Sequence, residues 1–87
     1  MASLPDSRHD IEARDADGRA VRLARNIARK LYRCPGCHGD IAIGDDHVLL
    51  LTPEAEDGFS HHHWHRRCAG ELLVPELRKA RSVPKRR

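Results

Sequence analysis

Cys34-Pro35-Gly36-Cys37 and His65-Arg66-Arg67-Cys68 form a C-x2-C pair, a spacer of 27 residues and an H-x2-C pair. A C-x2-C turn containing Pro and Gly brings two thiolates onto one cation, with backbone amides helping to hold their charge. His65 and Cys68, three residues apart, share one face of a first helical turn and reach the same ion. Three thiolates and one imidazole make a closed tetrahedral set, which suits one structural Zn²⁺ rather than a catalytic metal with an open position. An odd count of three cysteines argues against a disulfide framework. A thioredoxin-type redox pair at Cys34 and Cys37 lacks its βαβ surroundings and leaves Cys68 unexplained.

Other histidines invite a second chemistry. In a strand, His61 and His63 share one face, with His62 on the other. His47 or His63 could serve as the hairpin histidine of an HNH-like nuclease, but the segment after Cys68 (AGELLVPEL) offers no further His or Asn. Hydrogen-bonded or solvated histidines beside a metal are the expectation for His61, His62, His63 and His38.

Positioning the ligands requires a turn, a hairpin and a helix start. Ile41–Ile43 and His47–Leu51 around Gly44-Asp45-Asp46 read as a hairpin, residues 52–58 as an acidic loop, and Phe59–Trp64 as a third short strand. Residues 17–33 read as a basic amphipathic helix, capped by Asp15 or Asp17. Ala20, Val21, Leu23, Ala24, Ile27, Ala28, Leu31 and Tyr32 cover one half of the wheel, and Arg22, Arg25, Arg29 and Arg33 lie on the other. Residues 1–16 hold few large apolar side chains and are expected to be a flexible arm. From His65 the three- and four-residue spacing of Cys68, Ala69, Leu72, Leu73, Leu77 and Ala80 predicts a helix kinked at Pro75, which completes a finger over 34–81. Residues 82–87 form a basic tail.

The pattern CPGC, Ile41, Gly44, His47-Val-Leu, then His63-Trp64-His65-x2-Cys68 resembles a treble-clef zinc finger. In that fold a knuckle, a β-hairpin and a helix supply the ligands. It resembles the finger of poly(ADP-ribose) polymerases, where a Trp precedes the ligand His, and the first half of a LIM domain. Closer still, YRCPGC…HWHxxC is similar to small actinobacterial zinc proteins of unsettled function. The resemblance covers about residues 32–72. It implies Cys34, Cys37, His65 and Cys68 as ligands and places Trp64 beneath the site. The expected fold is therefore a small α+β zinc-binding domain, an N-terminal amphipathic helix followed by a treble-clef finger.

Composition bounds the function. Of 87 residues, 39% are apolar and only Tyr32, Phe59 and Trp64 are aromatic, so core burial alone stabilises the chain poorly. No apolar run approaches the roughly 18–20 residues of a membrane span. No apolar stretch marks a secretory signal near Met1 and no phosphate-binding loop is present, which points to a cytoplasmic, non-enzymatic protein without a small-molecule substrate. Residues 1–33 carry eight basic and five acidic side chains, 34–64 carry none and six, and 65–87 carry eight and two. Thirteen of the sixteen cations are Arg, a bias that suits bidentate phosphate contact and that GC-rich codon usage also produces. The function expected is a zinc module binding nucleic acid or a ribonucleoprotein particle such as the ribosome. Its contacts are mainly to phosphate, through Arg22, Arg25, Arg29, Arg33, Arg66, Arg67, Arg81, Lys85, Arg86 and Arg87. A LIM-like protein adaptor is the alternative, supported by the acidic centre of the chain.

Overall fold

The computed structural model describes residues 4–53 and 58–84, with residues 79–82 by their backbone alone. Seven strands run in the order β1 (His9–Arg14), β2 (Ala20–Ile27), β3 (Tyr32–Arg33), β4 (Asp40–Ile41), β5 (Asp46–Pro53), β6 (Phe59–His65) and β7 (Arg78–Pro84). Between β6 and β7 lie one α-helical turn, α1 (Arg66–Cys68), a π turn (Ala69–Leu73) and a 3-10 turn (Val74–Glu76). Five strands form an antiparallel sheet in the order β6-β5-β2-β1-β7, and β3 and β4 form a separate ribbon.

This overturns the expected α+β architecture of an N-terminal helix followed by a treble-clef finger. Residues 17–33 are not a helix: β2 fills the middle of that span, paired between β1 and β5, and β3 ends it. The segment fits both periods, because Val21 and Leu23 alternate with Arg22 while the interspersed Ala residues fill a helical face equally well. Pairing decides between them. Ile11 lies opposite Leu23 and Leu23 opposite Leu50, which puts all three on one buried face. Asp15 caps no helix. Its carboxylate accepts the amides of Asp17 and Arg19, and Gly18 at φ 81° completes the turn joining β1 to β2.

Nor are the described residues of the expected arm, 4–16, simply flexible, since Ile11 and Ala13 are buried, Pro5 is enclosed and Leu4 packs on the core. The predicted helix to residue 81 ends early. Pro75 has no amide donor to continue it, Leu77 turns extended (φ −98°, ψ 149°), and β7 pairs with β1. The expected hairpin partner also changes: Tyr32 pairs with Ile41, while β5 pairs with β6 as well as β2. The third strand lies where the sequence places it.

One face of the sheet carries the main core of Ile11, Ala13, Val21, Leu23, Val48 and Leu50, covered by Ala69, Leu73, Val74 and Leu77. Each fully buried aliphatic side chain there contributes about 1.5–3 kcal/mol. A second cluster of Ala28, Cys34 and Ile41 lies under the ribbon, and Trp64 packs against both. Among the described residues no helix is long and apolar enough to cross a membrane.

Candidate metal centre

Two backbone hydrogen bonds draw the turn between β3 and β4 together. Cys34 N–H donates to Gly39 O at 2.9 Å and His38 N–H to Cys34 O at 2.8 Å, with His38 in the left-handed region at φ 61°. This turn presents Cys34 and Cys37. The end of β6 and the first turn of α1 present His65 and Cys68. Gly36 allows the two halves to meet: a Cβ there would lie 2.9 Å from the Trp64 ring and 3.2 Å from Cys68 Cβ.

The four candidate ligand atoms all lie within 4.8 Å of one another. Tetrahedral Zn–S bonds of about 2.3 Å and a Zn–N bond of about 2.0 Å require S···N separations near 3.5 Å. His65 Nδ1 lies 3.2 Å from Cys37 Sγ and 3.9 Å from Cys68 Sγ, on either side of that value. His65 Nε2 is 2.9 Å from the Asp40 carbonyl, which can only accept, so Nε2 carries the proton and Nδ1 turns its lone pair to the thiols. The donor set fits one structural zinc.

The electrostatics point the same way. Burial raises the cost of charge on Cys34, but amides, that of His65 foremost, outweigh it and bring the thiol down to about 7. Burial and then the neighbouring thiols push Cys68 up to about 11. The Asp40 carbonyl, the largest influence, raises His65. Three thiols this close resist joint ionisation, and a divalent cation removes that penalty.

The expected phosphate-binding arginines do not form one row. Arg22 lies on the open face of the sheet, 4.0 Å from Asp10 and 3.9 Å from Glu12, while Arg25, on the opposite face, pairs with Asp46 at 2.8 Å. Strand alternation separates what a helix would have aligned. Arg29 is exposed before the ribbon and Arg33 within it, Arg67 pairs with Glu71 at 3.1 Å, and Arg66 buries an Nη1 without a hydrogen-bond partner among the described residues. Arg81 is described by backbone alone, and Lys85, Arg86 and Arg87 lie outside the described residues.

A second constellation joins His47, His63 and Tyr32. His47 is wholly buried, and its Nδ1–H donates to the Asp45 carbonyl at 3.2 Å. In the neutral ring, Nε2 then accepts from His63 Nδ1–H at 2.7 Å. Tyr32 stacks on His63 with ring centroids 3.5 Å apart and planes 10° from parallel. Burial foremost, then the neighbouring His47 imidazole, lowers His63 to about 4, so it is neutral near pH 7. The His-x-His alternation signals the shared face of His61 and His63. Nothing in the sequence signals that Tyr32 crosses from the ribbon to meet them. His61 is exposed, and His62 lies 3.3 Å from the Thr52 hydroxyl.

Neither a curated protein nor a solved structure is significantly similar to the chain. A family model described as Rv1322 family protein matches residues 9–70, a span holding six of the seven strands and all four metal ligands, and the chain belongs to that family.

Proposed function

We propose that this chain is a cytoplasmic, non-enzymatic, zinc-held module that binds nucleic acid, free or in a ribonucleoprotein particle such as the ribosome, largely through phosphate contacts. The closed donor set carries the reading. Three thiolates and an imidazole leave the cation no position for a substrate, so its work is to hold a surface in shape. The cations on that surface cluster at the approach to the ribbon, where Arg29, Lys30 and Arg33 are all exposed. Titration of the zinc-loaded chain with labelled oligonucleotides over a range of salt tests this. Three phosphate contacts predict a slope of about −2 in log affinity against log salt for single strands. Replacing Arg29, Lys30 and Arg33 together with Ala should flatten the slope while zinc content stays at one per chain. A parent chain that binds no oligonucleotide at low salt overturns the reading.

One observation favours a second reading, a protein-docking adaptor. Ile27, Leu31 and Ile43 are 49%, 63% and 71% exposed. Backbone hydrogen bonds between Ala28 and both Gly44 and Asp45 hold their two segments side by side. Capture of a protein partner that survives nuclease treatment, and is lost on Leu31→Ser with Ile43→Ser, supports this reading over the first.

A further inference from the structure

Phe59, His61 and His63 take no part in the zinc site or the core, yet they form a row. Val48 and Leu50 belong to the core face and lie opposite Trp64 and His62 of β6. Phe59, His61 and His63 therefore point to the other, open face. Rings two residues apart on a strand stand about 6.8 Å apart, twice the rise of stacked bases. Strand β6 is also an edge of the sheet and contains no acidic residue.

The row leads into a groove. Glu12, Arg22, Leu51 and His61 lie in register across β1, β2, β5 and β6. Beside them a groove of about 330 Å³ is lined by Glu12, Ala20, Val21, Arg22, Leu51 and Phe59. Its walls are apolar except for one cation and one carboxylate, which approach no closer than 3.9 Å and are both partly exposed. Phe59 is 58% exposed at its edge. At the other end of the row, the Tyr32 ring lies against His63, and Lys30 Nζ stands 6.0 Å from the Tyr32 centroid. The His63 ring is held in place by buried His47.

We propose that this open face along β6 is a base-stacking surface for single-stranded nucleic acid, with the groove beside Phe59 seating one base. A mainly apolar groove with one donor and one acceptor among its lining residues offers both kinds of contact to a base, which has two faces to stack and a hydrogen-bonding edge. The rings tolerate any base, and Lys30, beside Tyr32, meets the backbone. The proposal rests on the nucleic-acid reading above and deepens it, because phosphate contact alone needs no rings.

The test uses the full zinc-loaded chain and two labelled probes of about twelve nucleotides, within the site sizes of small single-strand binders. One is oligothymidylate, and the other is an abasic deoxyribose-phosphate strand of equal charge. The parent should bind oligothymidylate about tenfold more tightly, the effect of a stacked base. Phe59→Ala should lose most of that preference with abasic affinity and zinc content unchanged, and Phe59→Trp should restore it. His61→Ala, at an exposed position, should give a smaller loss in the same direction and keeps the test decisive if Phe59→Ala folds poorly. Equal affinity of the parent for both probes, or a preference undiminished in the variants, overturns the stacking surface and leaves the phosphate reading standing. Binding of neither probe at low salt overturns both.

Discussion

The sheet and the ribbon each enclose an apolar cluster, but by different means. Among the described residues, ten buried side chains form the sheet's core, while Ala28, Cys34 and Ile41 form the ribbon's. Strands β3 and β4 have two residues each, too short to hold a register without help. Two side chains of the smaller cluster, Cys34 and Cys68, are themselves metal ligands. The sheet therefore closes by burial and the ribbon by coordination, and Trp64, packed on both, is where they meet.

Removing the metal should produce the largest effect. Structural zinc contributes on the order of 10–16 kcal/mol to the folding of small fingers. Elemental analysis of the reduced chain should find one zinc, and none after Cys68→Ser. Chelation should unmake the turn at Cys34–Gly39 and move Trp64 emission to the red, as its ribbon-side packing is lost. The strand signal in circular dichroism should largely persist, because the ten-residue core contains no metal ligand. Simultaneous loss of both signals would show that the two regions are one cooperative unit.

A cut in the sheet should do the reverse and less of it. Leu23 is fully buried and lies opposite both Ile11 and Leu50. Leu23→Ala should cost about 2–5 kcal/mol in urea unfolding of the zinc-loaded chain. Zinc should remain at one per chain, since none of the four ligands belongs to the cluster around Leu23. A variant purified without zinc would break the distinction.

The same contrast explains what could be read from the sequence. Cys34, Cys37, His65 and Cys68 were legible because coordination is set by ligand type and spacing, and few other chemistries need those residues there. The sheet was not. Ala20-Val21-Arg22-Leu23-Ala24 satisfies a period of two and a period of 3.6 at once. Its state is decided by Ile11 and Leu50, distant in sequence on either side. Ile11 and Ala13 alternate with Glu12 over too few residues to outweigh the charges around them. The C-terminal helix failed at Pro75, where the sequence gives a stop or a kink equal support. A helical reading sets Arg22 and Arg25 on one face, whereas strand alternation sets them on opposite faces of the sheet.

The seam between the two regions offers the smallest and sharpest measurement. Asp46 begins β5 opposite Ile27, where the sheet gives way to the segment leading to the ribbon. Its carboxylate accepts the Arg25 Nε–H at 2.8 Å, and that hydrogen bond, ahead of the charge attraction, holds its pKa below the ordinary value. A carboxyl depressed in the folded state stabilises the fold above the unfolded pKa of about 3.9, and the contribution is lost as pH falls through the folded value. Both side chains are more than a third exposed, at 37% and 36%, so solvent screens the pair. Its contribution should stay below about 1 kcal/mol. Asp46→Asn keeps the shape and removes the charge. The urea stability of the parent should exceed that of the variant by this small amount at pH 7, and the difference should shrink to nothing in strong acid. Protonation of the thiolates and release of zinc at low pH occur in both chains and cancel in the comparison. A gap that instead grew towards acid would mean that Asp46 supports the fold through something other than its charge.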